Sequence, residues 1–136
     1  MKNVTFLIFF GILDASSVRI MTYNLLNYQD DNDRESDFAL IINQTQPDII
    51  IAQEIIGETG YSNFKSDVLD IMEPNIWSGA PFINQSAQQD IALFYKHDIF
   101  SFVFTNAIYT AQSSGTRDVI EWVLIHDASG IEFNLY

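Results

Sequence analysis

Two polar side chains close two apolar runs, and together they have the chemistry to hold a hard cation. Residues 47–55 read PDIIIAQEI: Pro47 leads into Ile49, Ile50, Ile51 and Ala52, and Gln53 and Glu54 end the run, with Gly57 just beyond. A β-branched run behind a proline predicts a strand buried on both faces. A carboxylate at the end of such a strand is costly to desolvate, so it needs a cation, a set of donors or open water. Taken alone, Glu54 reads most simply as a solvated strand end. Upstream, residues 18–24 (VRIMTYN) alternate Val18, Ile20 and Thr22 against Arg19, Met21 and Tyr23 and end on Asn24. That pattern predicts another strand. Neighbouring parallel strands joined by a helix bring their C-terminal ends to one edge of a sheet, where Asn24 and Glu54 would share a site. An amide oxygen beside a carboxylate suits Mg²⁺, Mn²⁺ or Ca²⁺ rather than Zn²⁺.

The intervening residues supply the helix. Ser36 is a candidate N-cap for a helix reaching Gln44, with Phe38, Leu40, Ile41 and Ile42 on its apolar side and Thr45-Gln46-Pro47 closing it. Tyr61, Phe64, Val68, Leu69 and Met72 fall at helical spacing and predict a helix over 61–72, with Asp67 and Asp70 on a solvated face. Residues 74–87 read as loop, with Trp77 and Phe82 available for packing. Strands are expected at 90–96, at 100–110 with Phe100, Phe102 and Phe104 on one side, and at 119–126. A small polar turn lies over 111–116, and Asp127-Ala128-Ser129-Gly130 turns the chain into a last strand at 131–136. The order predicts a mixed α/β (α+β) chain whose later part is mostly antiparallel. Asp90 reads as a strand-start carboxylate rather than a second ligand, His97 as a solvated turn residue, and His126 as structural.

Composition bounds the rest. The 136 residues are 48% hydrophobic and 14% aromatic, which suits a globular chain with a core. Residues 1–17 read as a secretory signal peptide: Lys2, an apolar stretch over 4–13 too short to span a bilayer, then Asp14-Ala15-Ser16-Ser17. The mature protein is therefore expected to be secreted or periplasmic, as a domain over 18–136 without a membrane span. There is no cysteine to staple it. The net charge is −12 with or without residues 1–17, because Lys2 and Asp14 cancel. Such a surface repels nucleic acid and anionic membranes unless cations intervene, which argues against a nucleic-acid-binding module.

In this order the motifs resemble the endonuclease/exonuclease/phosphatase superfamily. Its opening strand, R-[IV]-x-[TS]-[YW]-N-[LIV], is matched by Arg19-Ile20-Met21-Thr22-Tyr23-Asn24-Leu25. Its PDI[IL]xxQE segment is matched by Pro47-Asp48-Ile49-Ile50-Ile51-Ala52-Gln53-Glu54. Asp90-Ile91-Ala92-Leu93-Phe94-Tyr95-Lys96 and Thr116-Arg117-Asp118-Val119 look like two later strands, and residues 131–136 look like the strand leading to an N-x-H-L-K segment. The resemblance implies the N-terminal half of a four-layered α/β/β/α sandwich. It also implies a divalent-metal-dependent phosphoesterase, with Glu54 as the metal carboxylate and Asn24 beside it orienting the metal or a phosphate oxygen. Arg117 would contact the substrate phosphate, Mg²⁺ (or Mn²⁺ or Ca²⁺) would be the cofactor, and the partner a phosphate ester, nucleic acid among the candidates.

The sequence also departs from the pattern. The family's histidine after the strand at 131–136, its GD-[FL]-N segment and its S-D-H segment have no counterpart here, and neither His97 nor His126 takes their roles. The expectation is a fragment that is inactive by itself and lacks most of a second sheet, so that one face of its first sheet lies bare. The competing reading is a non-catalytic secreted α/β binding module that keeps the half-fold without the acid/base residues.

Overall fold

The protein, seen in a computed structural model, is described over residues 17–30, 33–85, 89–110 and 117–136. The signal-peptide segment, apart from Ser17, and the turn at 111–116 lie outside the described residues. In chain order the elements are β1 (Ile20–Tyr28), α1 (Glu35–Thr45), β2 (Ile49–Ile55) and α2 (Gly57–Asn63). A π-helical segment (Phe64–Leu69) then leads into α3 (Asp70–Met72). After these come β3 (Trp77–Gly79), β4 (Asp90–Lys96), β5 (Phe100–Ile108), β6 (Val119–His126) and β7 (Ile131–Leu135). They form one sheet in the order β1-β2-β4-β3 and a second in the order β5-β6-β7.

Strand alternation sets the layers. Ile50 and Ala52 of β2, with Ala92 and Phe94 of β4, turn one way, onto Phe38 and Ile42 of α1 and onto Phe64, Val68 and Leu69 of the helical stretch. Ile49, Ile51, Leu93 and Tyr95 turn the other way, onto Phe100, Ile120, Trp122 and Leu124 of the second sheet. Successive strand residues point to opposite faces, so the double-sided burial of β2 follows from its uninterrupted apolar run. Tyr28, Phe38, Phe64 and Phe94 meet edge-on or tilted on the helix side, with ring centroids 5.4–5.9 Å apart. The result is helices, sheet and sheet: an α+β architecture matching half of the expected sandwich. Both faces of the first sheet are covered, contrary to the bare face expected, because β5–β7 already begin the second sheet.

Local departures have local causes. Ser36 does not cap α1: the helix is entered at Arg34, which makes no side-chain cap, and Ser36 lies inside the first turn between Glu35 and Asp37. The helical stretch after β2 starts at Gly57 rather than residue 61, although GETG is a poor helix-forming start. Close packing explains it, since a Cβ on Gly60 would come 2.4 Å from the Tyr28 carbonyl oxygen. A register shift between Phe102 and Phe104 turns Phe104 onto the opposite face from Phe100 and Phe102. The short strand β3 lies within the stretch expected to be loop, because Trp77-Ser78-Gly79 carries no alternation long enough to announce it. Gly130 takes φ +68°, as its turn position requires.

Candidate functional site

β1 and β2 are parallel neighbours, with Asn24 opposite Gln53, so their C-terminal ends do reach one edge. Glu54 is the extra residue of a bulge. Across to β4, Gln53 pairs with Ile91 and Ile55 with Asp90, which leaves Glu54 with no opposite number. Its backbone sits at φ +58°, left-handed for a residue with a Cβ. Such a conformation costs about 1–2 kcal/mol and re-aims the side chain out of the alternation. The Asn24 amide meets it: Nδ2 donates to Glu54 Oε1 at 2.9 Å, while Oδ1 accepts the Leu26 N–H at 2.8 Å. The amide orientation is forced, since the reverse would set oxygen against carboxylate and N–H₂ against N–H.

The chain after Asn24 is shaped to allow this. Three residues of β1, Leu25 to Asn27, lie opposite the single residue Glu54, and Leu26 and Asn27 have φ +50° and +57°. The bump takes Leu25 and Leu26 carbonyls out of the ladder. Arg34 Nη1 donates to both, at 3.0 and 3.3 Å, and its guanidinium lies over the Tyr28 and Phe38 rings. Tyr28 is fully buried, its hydroxyl donating to Glu35 Oε1 at 3.0 Å, and burial first, then Glu35, raises its pKa.

Arg117 precedes β6, and its Nη2 donates to Gln89 Oε1 at 3.0 Å. Gln89 Nε2 in turn donates to Asn27 Oδ1. Gln89 leads into β4, which runs antiparallel to β2, so this chain of side chains ends at the same sheet edge as Asn24 and Glu54. The structure thus brings Asn24 into contact with Glu54 and ties Arg117 to the end of β1.

Nothing in the sequence singles out Asn27, Gln85 or Gln89. The available signal was a polar cluster just before an apolar strand, which reads equally well as an ordinary strand entry. Asp90 starts β4 as expected, and it is buried, 1% exposed. Burial raises its pKa; the Gln85 N–H, the Arg117 charge and the Gly57 amide pull it back, and Glu58 pushes it further up. His97 is exposed beside Ser78, and His126 is buried with Nδ1 2.7 Å from Ser129 Oγ. A groove of about 350 Å³ lies at the other end of the first sheet, lined by Pro47, Glu73 and Lys96 among others, away from this site.

The donor set fits a hard cation. Oε1 of Glu54 is held by Asn24, and its other oxygen has no hydrogen bond among the described residues. No group of three or more His, Cys, Asp or Glu side chains gathers into a metal cluster among the described residues. A cation here would take one carboxylate from this chain and keep several waters, as Mg²⁺ commonly does.

The catalytic domain of human Nocturnin, in a structure with bound sulfate, superposes at TM-score 0.64 with 21% identity, over 86% of this chain and 47% of that one. An endonuclease/exonuclease/phosphatase family protein of Bacteroides thetaiotaomicron matches at TM-score 0.61 and 18% identity, over 88% of this chain and 47% of that one. The fold is that of the endonuclease/exonuclease/phosphatase proteins. A mannosyl-6-phosphatase of Bacteroides thetaiotaomicron shares it at TM-score 0.61 and 17% identity, over 87% of this chain and 49% of that one. The chain therefore spans about half the length of these endonuclease/exonuclease/phosphatase structures. No family model matches its sequence, and no curated protein matches it either. Within the shared fold, the two parallel strand ends are where this chain places its bulged carboxylate and its amide.

Proposed function

We propose that this chain carries the metal-binding edge of a secreted, divalent-metal-dependent phosphoesterase of the endonuclease/exonuclease/phosphatase type. The observation that carries the reading is the Asn24–Glu54 contact at two parallel strand ends, built on a left-handed bulge. Strained backbone of this kind persists where the surroundings over-determine it, and it clusters at working sites. Glu54, with Asn24 beside it, would hold Mg²⁺ or Mn²⁺. The bound cation would neutralise and polarise a phosphate oxygen.

The chain's own residues do the rest of what is proposed. Asn24 fixes the carboxylate through Nδ2–H and is itself fixed by the Leu26 amide. Arg117, held by Gln89, offers guanidinium N–H groups to the non-bridging oxygens of a phosphate ester. The −12 charge favours small phosphate esters over polyanionic nucleic acid, since only a local cation and Arg117 offset the surrounding field.

The test measures Mn²⁺ binding by the chain, and the hydrolysis of bis(4-nitrophenyl) phosphate and 4-nitrophenyl phosphate by the natural gene product, with Mg²⁺ and with EDTA. Glu54→Gln is expected to remove both properties. Asn24→Ala is expected to weaken Mn²⁺ binding about 10–100-fold, the usual cost of losing a residue that orients a ligand. Unchanged Mn²⁺ binding in Glu54→Gln would overturn the assignment. Secretion is checked separately by the N-terminal residue of the mature protein, expected near Val18.

A further inference from the structure

We propose that Asp90 is a positioning residue for this site, bracing from beneath the bulge that aims Glu54 and, through Gln85, tying that bulge to the backbone beside Arg117. The inference rests on reading Glu54 as the metal carboxylate, and it adds a residue that makes no contact with the metal or the substrate.

The geometry is specific. Asp90 pairs with Ile55, the residue immediately after the bulged Glu54, and Ile91 pairs with Gln53, immediately before it. Asp90 and Ile91 therefore span the bulge from the neighbouring strand. Asp90 shares strand parity with Ala92 and Phe94, which belong to the helix-side core, so its side chain is on the side of the sheet where α2 begins. The backbone there is left-handed twice within four residues, at Glu54 (φ +58°) and at Gly57 (φ +60°). Glycine takes that conformation freely, but Glu54 does not, so its strained backbone needs outside support.

Asp90 is equipped to give it. Its Oδ1 accepts the Gln85 N–H at 3.0 Å, and its Oδ2 is buried without a hydrogen-bonding partner among the described residues. Burial disfavours its anion, and the Gln85 N–H, the Arg117 charge and the Gly57 amide offset that only in part. A buried carboxylate with one unsatisfied oxygen is a costly thing to keep in a fold. The strand would start as well with a serine or an asparagine if only its entry needed a cap. Gln85 extends the brace to the second sheet: its side-chain Oε1 accepts the Asp118 N–H at 2.7 Å and its Nε2 donates to the Asp118 carbonyl at 3.3 Å. Asp118 follows Arg117, so Asp90 is joined through Gln85 to the residue next to that guanidinium.

The experiment compares Asp90→Asn, which keeps an acceptor for Gln85 but drops the charge, with Asp90→Ala, which drops both. Two quantities are read on each: Mn²⁺ affinity by electron paramagnetic resonance, and amide exchange at Ile56, whose N–H donates to Tyr28 O at 2.9 Å beside the bulge. Asp90→Ala is expected to weaken Mn²⁺ binding about 10-fold, the scale of losing an orienting partner. Ile56 exchange should accelerate more than exchange in β6. Asp90→Asn should fall between it and the parent, and it carries the test alone if Asp90→Ala does not fold. Parent-like Mn²⁺ affinity with exchange accelerated equally in β6 and at Ile56 would overturn the proposal, leaving Asp90 a general stabiliser. Glu54→Gln run alongside separates the two readings. If it binds Mn²⁺ like the parent, the metal assignment fails, and Asp90 is then judged on the Ile56 exchange alone.

Discussion

A single backbone dihedral accounts for most of what Glu54 can do. Left in alternation, its side chain would follow Ala52 toward the helices; at φ +58° it leaves that face and meets the Asn24 amide. Asn24 was legible as a strand-end amide, and Glu54 as a strand-end carboxylate. The bulge was not, because nothing in PDIIIAQEI marks one residue as unpaired until β4 is laid beside it. Asp90 shows the same limit, since nothing in a strand-start carboxylate says that the fold will bury it. Its titration gives a residue-scale prediction. Burial, the largest influence, and Glu58 raise its pKa, while Gln85, Arg117 and Gly57 oppose them. The folded state then holds this proton more tightly than the unfolded chain does. The associated stability is fully present below the ordinary carboxylate value and is lost as pH rises from there through the raised one. Asp90→Asn should flatten that segment of the curve, measured as urea midpoints across the carboxylate range up to neutrality. A slope equal to the parent's would show that another group carries it.

At the scale of elements, the site depends on how tightly the stretch after β2 docks onto β1. Gly60 sits where α2 crosses the end of β1, with its N–H donating to Ile56 O at 3.2 Å. An alanine Cβ there would stand 2.4 Å from Tyr28 O and 3.1 Å from the Ile55 side chain. Backbone cannot yield as a flexible side chain does, so Gly60→Ala should cost about 1–3 kcal/mol, the usual range for forced overpacking. Urea unfolding checks this, and a cost within experimental error would mean that α2 can shift freely. The helix itself was visible from Tyr61 to Met72 because those residues repeat at helical spacing. Its first turn was not, because glycine carries no periodic signal and only the fit against Tyr28 selects it.

Across the whole molecule, apolar surface remains on the outer side of the second sheet. Phe104, Ile108 and Val119 are 40–43% exposed, and the pairing of Ile108 with Val119 and of Phe104 with Val123 sets them on one face. Apolar strips of this sort promote self-association. The double variant Phe104→Lys, Val119→Lys should therefore sediment as a smaller species at high concentration than the parent. Its urea midpoint should stay close to the parent's, since surface changes usually stay within about 0.5 kcal/mol. Cooperative unfolding lost in this variant would show instead that the strip is part of the core. The bulge in β5 is why the strip exists, since without it Phe104 would join Phe100 and Phe102 inside.

The sequence by itself determined every strand but the short β3, their alternation up to the bulge in β5, the parallel β1–α1–β2 unit and the two polar groups that end its strands. Those are local properties: a residue's type and its spacing to near neighbours already state which face it prefers. Tertiary structure alone decided the register, and with it the bulge at Glu54, the bump over Leu25 to Asn27, the brace from Asp90 and the tie from Arg117 through Gln89 to Asn27. Register is a relation between segments dozens of residues apart, set by which side chains fill the space between layers. No single stretch of the chain carries that information.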